Sequence, residues 1–194
     1  MEHLGRKLFH LLGGLGLLSL YFIFGRNNAF LLYGALAILV FAFEIARLRM
    51  PALNRFIYRW FGSFIRRNEE NKLTGTVPYI LGVAASFYAY STAVATAAVC
   101  FLAFGDVAAT AIGERYGKTK IGDKSLEGSL AFVAAALAAG FALSFIGPAP
   151  VPWVLVLGAF AAAGTELLPV RINDNLMIPV LAGAVMELAL RVAR

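Results

Sequence analysis

Residues 105–128 read GDVAATAIGERYGKTKIGDKSLEG, and they gather eight of the chain's 28 charged residues and five of its 19 glycines. Apolar runs flank them at 92–113 and 128–146, each close to the roughly 20 helical residues that a bilayer core about 30 Å thick requires. A polar, glycine-rich loop between two such runs marks a chain that crosses a membrane, emerges and returns. The fold is therefore read outward from this loop as a series of crossings.

The remainder agrees. Over 194 residues the chain is 60% hydrophobic and 14% charged, with 16 Phe and a mean hydropathy of +0.77, values that do not describe a soluble domain. Charged punctuation predicts about seven membrane spans, at 8–24, 29–46, 76–90, 92–113, 128–146, 151–168 and 176–192. The expected fold is all-α: one integral, multi-pass membrane domain over 1–194 with no soluble domain left over. The first span follows Arg6 and Lys7 as a signal peptide would, but it ends in GRNN without a small-x-small cleavage site, and is read as a retained helix. Cys100 is the only cysteine, which excludes an internal disulfide.

Placing the N-terminus inside puts 14 of the 17 Lys and Arg on the inner side and leaves Arg26, Arg191 and Arg194 outside, as the positive-inside rule requires. The net charge of +6 then belongs mostly to one face, facing anionic lipid or an anionic soluble substrate rather than nucleic acid. Residues 51–67, PALNRFIYRWFGSFIRR, place apolar groups at helical spacing with Arg55, Arg59 and Arg66 off the stripe, predicting an amphipathic helix in the inner interface, either an anchor alone or the border of an access path for lipid. Ala134 with Ala138, Ala135 with Ala139, and Gly158 near Ala162 predict close helix packing.

Ionisable groups within spans are costly and point to chemistry unless a neighbour neutralises them. Glu44 has Arg47 three residues on and Glu187 has Arg191 four on, the spacing of helix-surface pairs. Asp106 and Glu166 have no cation at helical spacing, so each needs a partner on another helix or a bound ion. Asp106, Thr110 and Glu114 form one polar ridge leading to the loop. On the inner face this ridge, Glu166 and the RINDN turn at 171–175 converge with Lys118, Lys120 and Lys124, an arrangement suited to a divalent cation and a polyphosphate. Gly113, Gly117, Gly122 and Gly128 let backbone approach phosphate oxygens, and the helix starting near 128 offers its N-terminus. GERYGKT is not a Walker A loop, because its glycines stand one residue too close and no strand precedes it.

RKLFH at 6–10, LTG at 73–75, GDVAATAIGERYGK at 105–118, KSLEGSLA at 124–131, and Glu166 followed by NDNLMIP at 173–179 together resemble the membrane family of dolichol, polyprenol and phytol kinases and CTP-dependent diacylglycerol kinases. The related phosphatidate cytidylyltransferases share the outline, but their HGG and DR signature is absent. The resemblance implies Mg²⁺-dependent transfer of the γ-phosphate of CTP to the hydroxyl of a membrane lipid alcohol, isoprenoid or diacylglycerol. It implies catalytic roles for Asp106, Glu166 and Asp174, with Asp106 and Asp174 as Mg²⁺ ligands. Nucleotide and phosphate contacts are expected from Arg6, Lys7, Gly113, Gly117, Lys118, Lys124, Ser125, Glu127, Gly128 and Asn175, and lipid contacts from His10 and Thr74. Partners are then the bilayer, a lipid alcohol and a nucleoside triphosphate, with a homodimer left open. The rival readings are a CDP-lipid synthase and, in another class, a small ion-coupled transporter.

Overall fold

The computed structural model describes residues 4–62, 69–168 and 172–193, without the side chains of Leu4 and Arg6. The described chain is helical throughout, apart from one two-stranded hairpin. Helix α1 (Leu4–Arg49) is interrupted at Gly25, whose φ of 74° and ψ of 167° are open to glycine but strained for other residues. Its second arm returns along the first: the Tyr33 hydroxyl, buried, donates to the Leu17 carbonyl at 2.6 Å. The two spans expected at 8–24 and 29–46 are these arms.

An amphipathic helix α2 (Pro51–Phe61) follows, started by a proline whose missing N–H is no loss in a first turn. Ile57 is buried, while Arg55, Phe56, Arg59 and Trp60 are exposed. The rest of the predicted amphipathic stretch, 63–67, lies outside the described residues. Then come α3 (Thr76–Ala89), α4 (Thr92–Tyr116), the strands β1 (Lys120–Ile121) and β2 (Lys124–Ser125), α5 (Leu126–Ile146), α6 (Pro152–Glu166) and α7 (Asp174–Val192). Each expected span coincides with a helix or an arm. Among the described residues four helices are long and apolar enough to cross a membrane, α1, α4, α5 and α7, while α3 and α6 are shorter apolar helices of 14 and 15 residues.

Helix α4 is the axis, touching α1, α3, α5, α6 and α7. Its buried run Val94–Ala103 is mostly alanine, valine and other small groups, so neighbouring backbones come close. Phe101 and Phe132 fill the spaces left by glycines: a Cβ at Gly105 would meet the Phe132 ring at 2.6 Å, and one at Gly140 the Phe101 ring at 3.0 Å. Of the small residues expected to pack on α5, Ala135 and Ala139 are half-buried, Ala139 against the core. Phe132, Ala136 and Gly140 form the buried stripe, whereas Ala134 and Ala138 face outward, because the bulk of Phe132 decides which side meets α4. Gly158 is buried as expected, against Met186 and Phe101.

The polar, glycine-rich loop after α4 is a tight hairpin. Lys120 pairs with Ser125 and Ile121 with Lys124 around a Gly122–Asp123 turn, Gly122 taking a φ of 59°. Leu126 N–H donates to the Thr119 carbonyl at 2.9 Å, fixing the hairpin to the start of α5.

Candidate active site

Helix α5 begins with a local device: Ser125 is its N-cap, and its Oγ accepts from the Gly128 N–H at 3.1 Å. Glycines surround that serine. A Cβ at Gly113 would lie 3.0 Å from Ser125 Oγ, and at Gly117 it would meet Ser125 Oγ at 2.6 Å and the Gly113 carbonyl. One at Gly128 would stand 3.0 Å from the Ala109 carbonyl oxygen. Three of the glycines assigned to phosphate binding thus have a packing reason, closing the C-terminal end of α4 onto the start of α5. Gly122 alone among the loop's last four glycines meets nothing. Glu127 turns back to receive the Thr119 N–H at 3.1 and 3.2 Å, bracing the hairpin.

Lys124, delivered by β2, reaches across to two carboxylates. Its Nζ lies 2.9 Å from Glu166 Oε1 at the end of α6 and 3.4 Å from Asp174 Oδ2 at the start of α7. Partial burial opposes the charge, but attraction to Glu166, its hydrogen bond, and the fields of Asp174 and Asp106 together raise the Lys124 pKa above its ordinary value. Glu166 is 5% exposed, and its Oε2 has no hydrogen-bond partner among the described residues. The partner that the sequence of α6 lacks is therefore supplied by the hairpin. Thr110, Gly113, Glu114, Lys120, Asp123, Lys124, Ser125 and Glu166 line a polar recess of about 210 Å³. Lys7 stands 3.7 Å from Glu114 at this recess, the Lys118 side chain is exposed just beyond α4, and the Arg6 side chain lies outside the described residues.

One turn along α4, Asp106 belongs to a different space. A cavity of about 590 Å³ has a mostly apolar wall that includes Phe9, Val40, Phe43, Ile57 and Phe61. Its polar groups include His10, Thr74, Asp106 and Asn175. His10 Nε2 is 3.9 Å from Asp106 Oδ2 and 3.0 Å from Asn175 Oδ1, and the ring stacks on Tyr79 at 4.5 Å. The polar ridge of α4 therefore runs between two compartments, with Asp106 on the apolar cavity and Thr110 and Glu114 on the polar recess. Asn175 was assigned with the phosphate-binding groups; its side chain is seated on the cavity side.

The Glu44–Arg47 pair is a correction. It is no surface pair: the two residues are 4% and 0% exposed. Arg47 Nη2 donates to Glu44 Oε2 at 2.9 Å and to the Lys72 carbonyl at 2.7 Å, while Nη1 donates to Asn54 Oδ1 at 2.8 Å and to the Glu70 carbonyl at 3.0 Å. Glu44 Oε2 also accepts from the Thr74 N–H at 2.9 Å. The i, i+3 spacing is visible in sequence, but burial is created by the returning segment 69–74, which no local pattern announces. The other pair does lie at a span end: Glu187, 3.9 Å from Arg191, receives the Ser91 N–H and hydroxyl at 3.0 Å, holding the start of α4. Tyr79, Asn173 and Glu44 also line the cavity and were not singled out as site residues. Tyr79 and Asn173 were legible in principle, standing within or beside the TG and NDN segments.

Among the described residues no three His, Cys, Asp or Glu side chains form a ready metal cage. The donor set nonetheless fits Mg²⁺, which takes hard oxygens from one or two carboxylates and completes its shell with water and phosphate. Carboxylates already gathered around the Lys124 ammonium, with a buried oxygen on Glu166 that has no hydrogen-bond partner among the described residues, supply that chemistry.

Comparison with characterised proteins gives consistent relatives. CTP-dependent diacylglycerol kinase 1 of Schizosaccharomyces pombe is 31% identical over 163 residues, covering 76% of this chain and 75% of that protein. The proteins of the same name from Saccharomyces cerevisiae and Eremothecium gossypii are each 29% identical, over 96% and 94% of this chain and 73% and 65% of their own lengths. No family model and no solved structure matches the chain.

Proposed function

The chain belongs to the family of CTP-dependent diacylglycerol kinases, which are phosphotransferases, and from that premise we propose that it moves the γ-phosphate of CTP to the hydroxyl of diacylglycerol at the inner membrane face. An isoprenoid alcohol is the second acceptor to consider, since the apolar cavity selects for a hydroxyl at its polar end rather than for a particular tail. The observation that carries the reading is the position of Asp106 on the ridge between an apolar cavity and a lysine-bearing polar recess. The first suits a lipid alcohol arriving from the bilayer, the second a triphosphate arriving from water.

In this reading Lys124 and Lys120, with the hairpin backbone and Ser125, hold phosphate oxygens in the recess. Asp106 and Asp174 would hold Mg²⁺, which when bound offsets the charge of the triphosphate. The lipid oxygen forms its bond to the γ-phosphorus as the bond to the bridging oxygen breaks, and CDP leaves. The hydroxyl proton passes to Asp106, the cavity carboxylate within the field of Lys124. Phosphoryl transfer asks mainly for alignment and charge neutralisation, so a few well-placed groups suffice.

CTP labelled in the α- or γ-position, offered with a panel of lipid alcohols to the detergent-purified protein, tests this. Transfer of γ-label alone to lipid is expected, with diacylglycerol the best acceptor. With phosphatidate added as a further acceptor, incorporation of α-label into it, with release of pyrophosphate, would instead make the protein a CDP-lipid synthase.

A further inference from the structure

Four segments distant in sequence meet in one chain of contacts. Asn175 Nδ2 donates to the Gly75 carbonyl at 2.9 Å, Asn175 Oδ1 stands 3.0 Å from His10 Nε2, and that nitrogen lies 3.9 Å from Asp106 Oδ2. Because the amide nitrogen is committed to Gly75, the oxygen is the atom turned to the ring, and His10 Nε2 must carry the hydrogen of that contact. The ring has little other freedom. It stacks on Tyr79 with planes 19° apart, and the Tyr79 hydroxyl donates to the His10 carbonyl at 3.0 Å. Asn175 is fixed in turn, its own N–H donating to Asn173 Oδ1 at 3.0 Å. Gly75, Tyr79, Asn173, Asn175, His10 and Asp106 all line the apolar cavity.

We propose that Asn175 is a positioning residue for the lipid acceptor: it holds His10 as the Nε2–H form, so that Nε2 and Asp106 Oδ2 together receive the acceptor hydroxyl. The gap of 3.9 Å is too long for a direct hydrogen bond, yet one oxygen can contact both atoms at about 2.8 Å. In that seat the Nε2 hydrogen is shared between Asn175 Oδ1 and the hydroxyl oxygen as a three-centre bond, while the hydroxyl donates to Asp106 and keeps its other lone pair for phosphorus. An imidazole free to turn would present a C–H edge half the time, and misplacement by about 1 Å costs on the order of a hundredfold in rate. The assignment deepens the kinase reading and rests on it; a nucleotide ligand at this position would face Lys124 instead.

The test uses Asn175→Leu, which has similar volume and no hydrogen-bonding atoms, in the full-length protein with CTP and a short-chain diacylglycerol in mixed micelles. Expected is a fall of about 10- to 100-fold in kcat/KM for the lipid, with KM for CTP within about twofold of wild type. His10→Phe added to it should bring little further loss, because the two act as one unit. A rise in KM for CTP with lipid kinetics unchanged, or additive losses, overturns the proposal. Should the variant not fold, ¹⁵N-histidine spectra of the wild-type protein decide: hydrogen on Nε2 is expected, and hydrogen on Nδ1 alone contradicts it. A wild-type protein that transfers no γ-phosphate to any lipid alcohol ends the kinase reading itself, which separates the two failures.

Discussion

In the proposed reaction Asp106 and Lys124 carry opposite halves of the chemistry, and single changes separate them. Asp106→Asn keeps shape and loses the proton acceptor, so kcat should fall by about a hundredfold or more while the unfolding temperature stays near wild type; near-normal turnover would remove Asp106 from the reaction. Lys124→Gln should raise KM for CTP at least about tenfold, with Lys124→Arg recovering part of it, because charge more than shape meets phosphate. The folded Lys124 pKa is raised, so its interactions are fully present below the ordinary value near 10.5 and fade only as pH climbs through the higher folded value. KM for CTP should therefore show no Lys124-dependent step between about pH 6.5 and 9. The isolation of Asp106 and Glu166 was legible in the sequence, since helical spacing shows which neighbours a side chain lacks. Their partners, His10 and Lys124, lie 96 and 42 positions away, and no periodicity encodes such pairings.

Among the elements, the segment 69–75 is the least expected contributor. Arg47 gathers its carbonyls, Glu44 holds the Thr74 N–H, and Gly75 then presents the carbonyl that fixes Asn175. Breaking a buried pair by removing one partner typically costs about 3–5 kcal/mol. Arg47→Met should therefore lower the unfolding temperature markedly and increase protease cleavage within 69–75, both measurable in detergent. Gly105→Ala should also destabilise, by about 1–3 kcal/mol, because the added methyl would sit against the buried Phe132 ring and force α4 and α5 apart. Spans were legible because apolar length is a local property. The β1–β2 hairpin was not read, although its Gly122–Asp123 pair between two short runs is a recognised turn signal; lysine content drew attention to charge and away from backbone shape.

At the scale of the whole molecule, the claim is that α4 divides a lipid compartment from a nucleotide compartment at one membrane face. The proposed orientation rests on the distribution of Lys and Arg, and it predicts that a cysteine placed at Lys118 in a Cys100→Ala background reacts with an impermeant thiol reagent from the side on which CTP supports activity, while one at Gly147 reacts from the other. Convergence of the motifs on one side was legible from topology, whereas the division into two spaces was not, because it depends on Asp106 and Thr110 facing different neighbours one turn apart. The most direct measurement is an experimental structure with a non-transferable CTP analogue and diacylglycerol bound together. The account predicts triphosphate oxygens against Lys124 in the polar recess and the lipid hydroxyl against Asp106 at the end of the apolar cavity; a nucleotide seated in the cavity, or a lipid hydroxyl remote from Asp106, would contradict it.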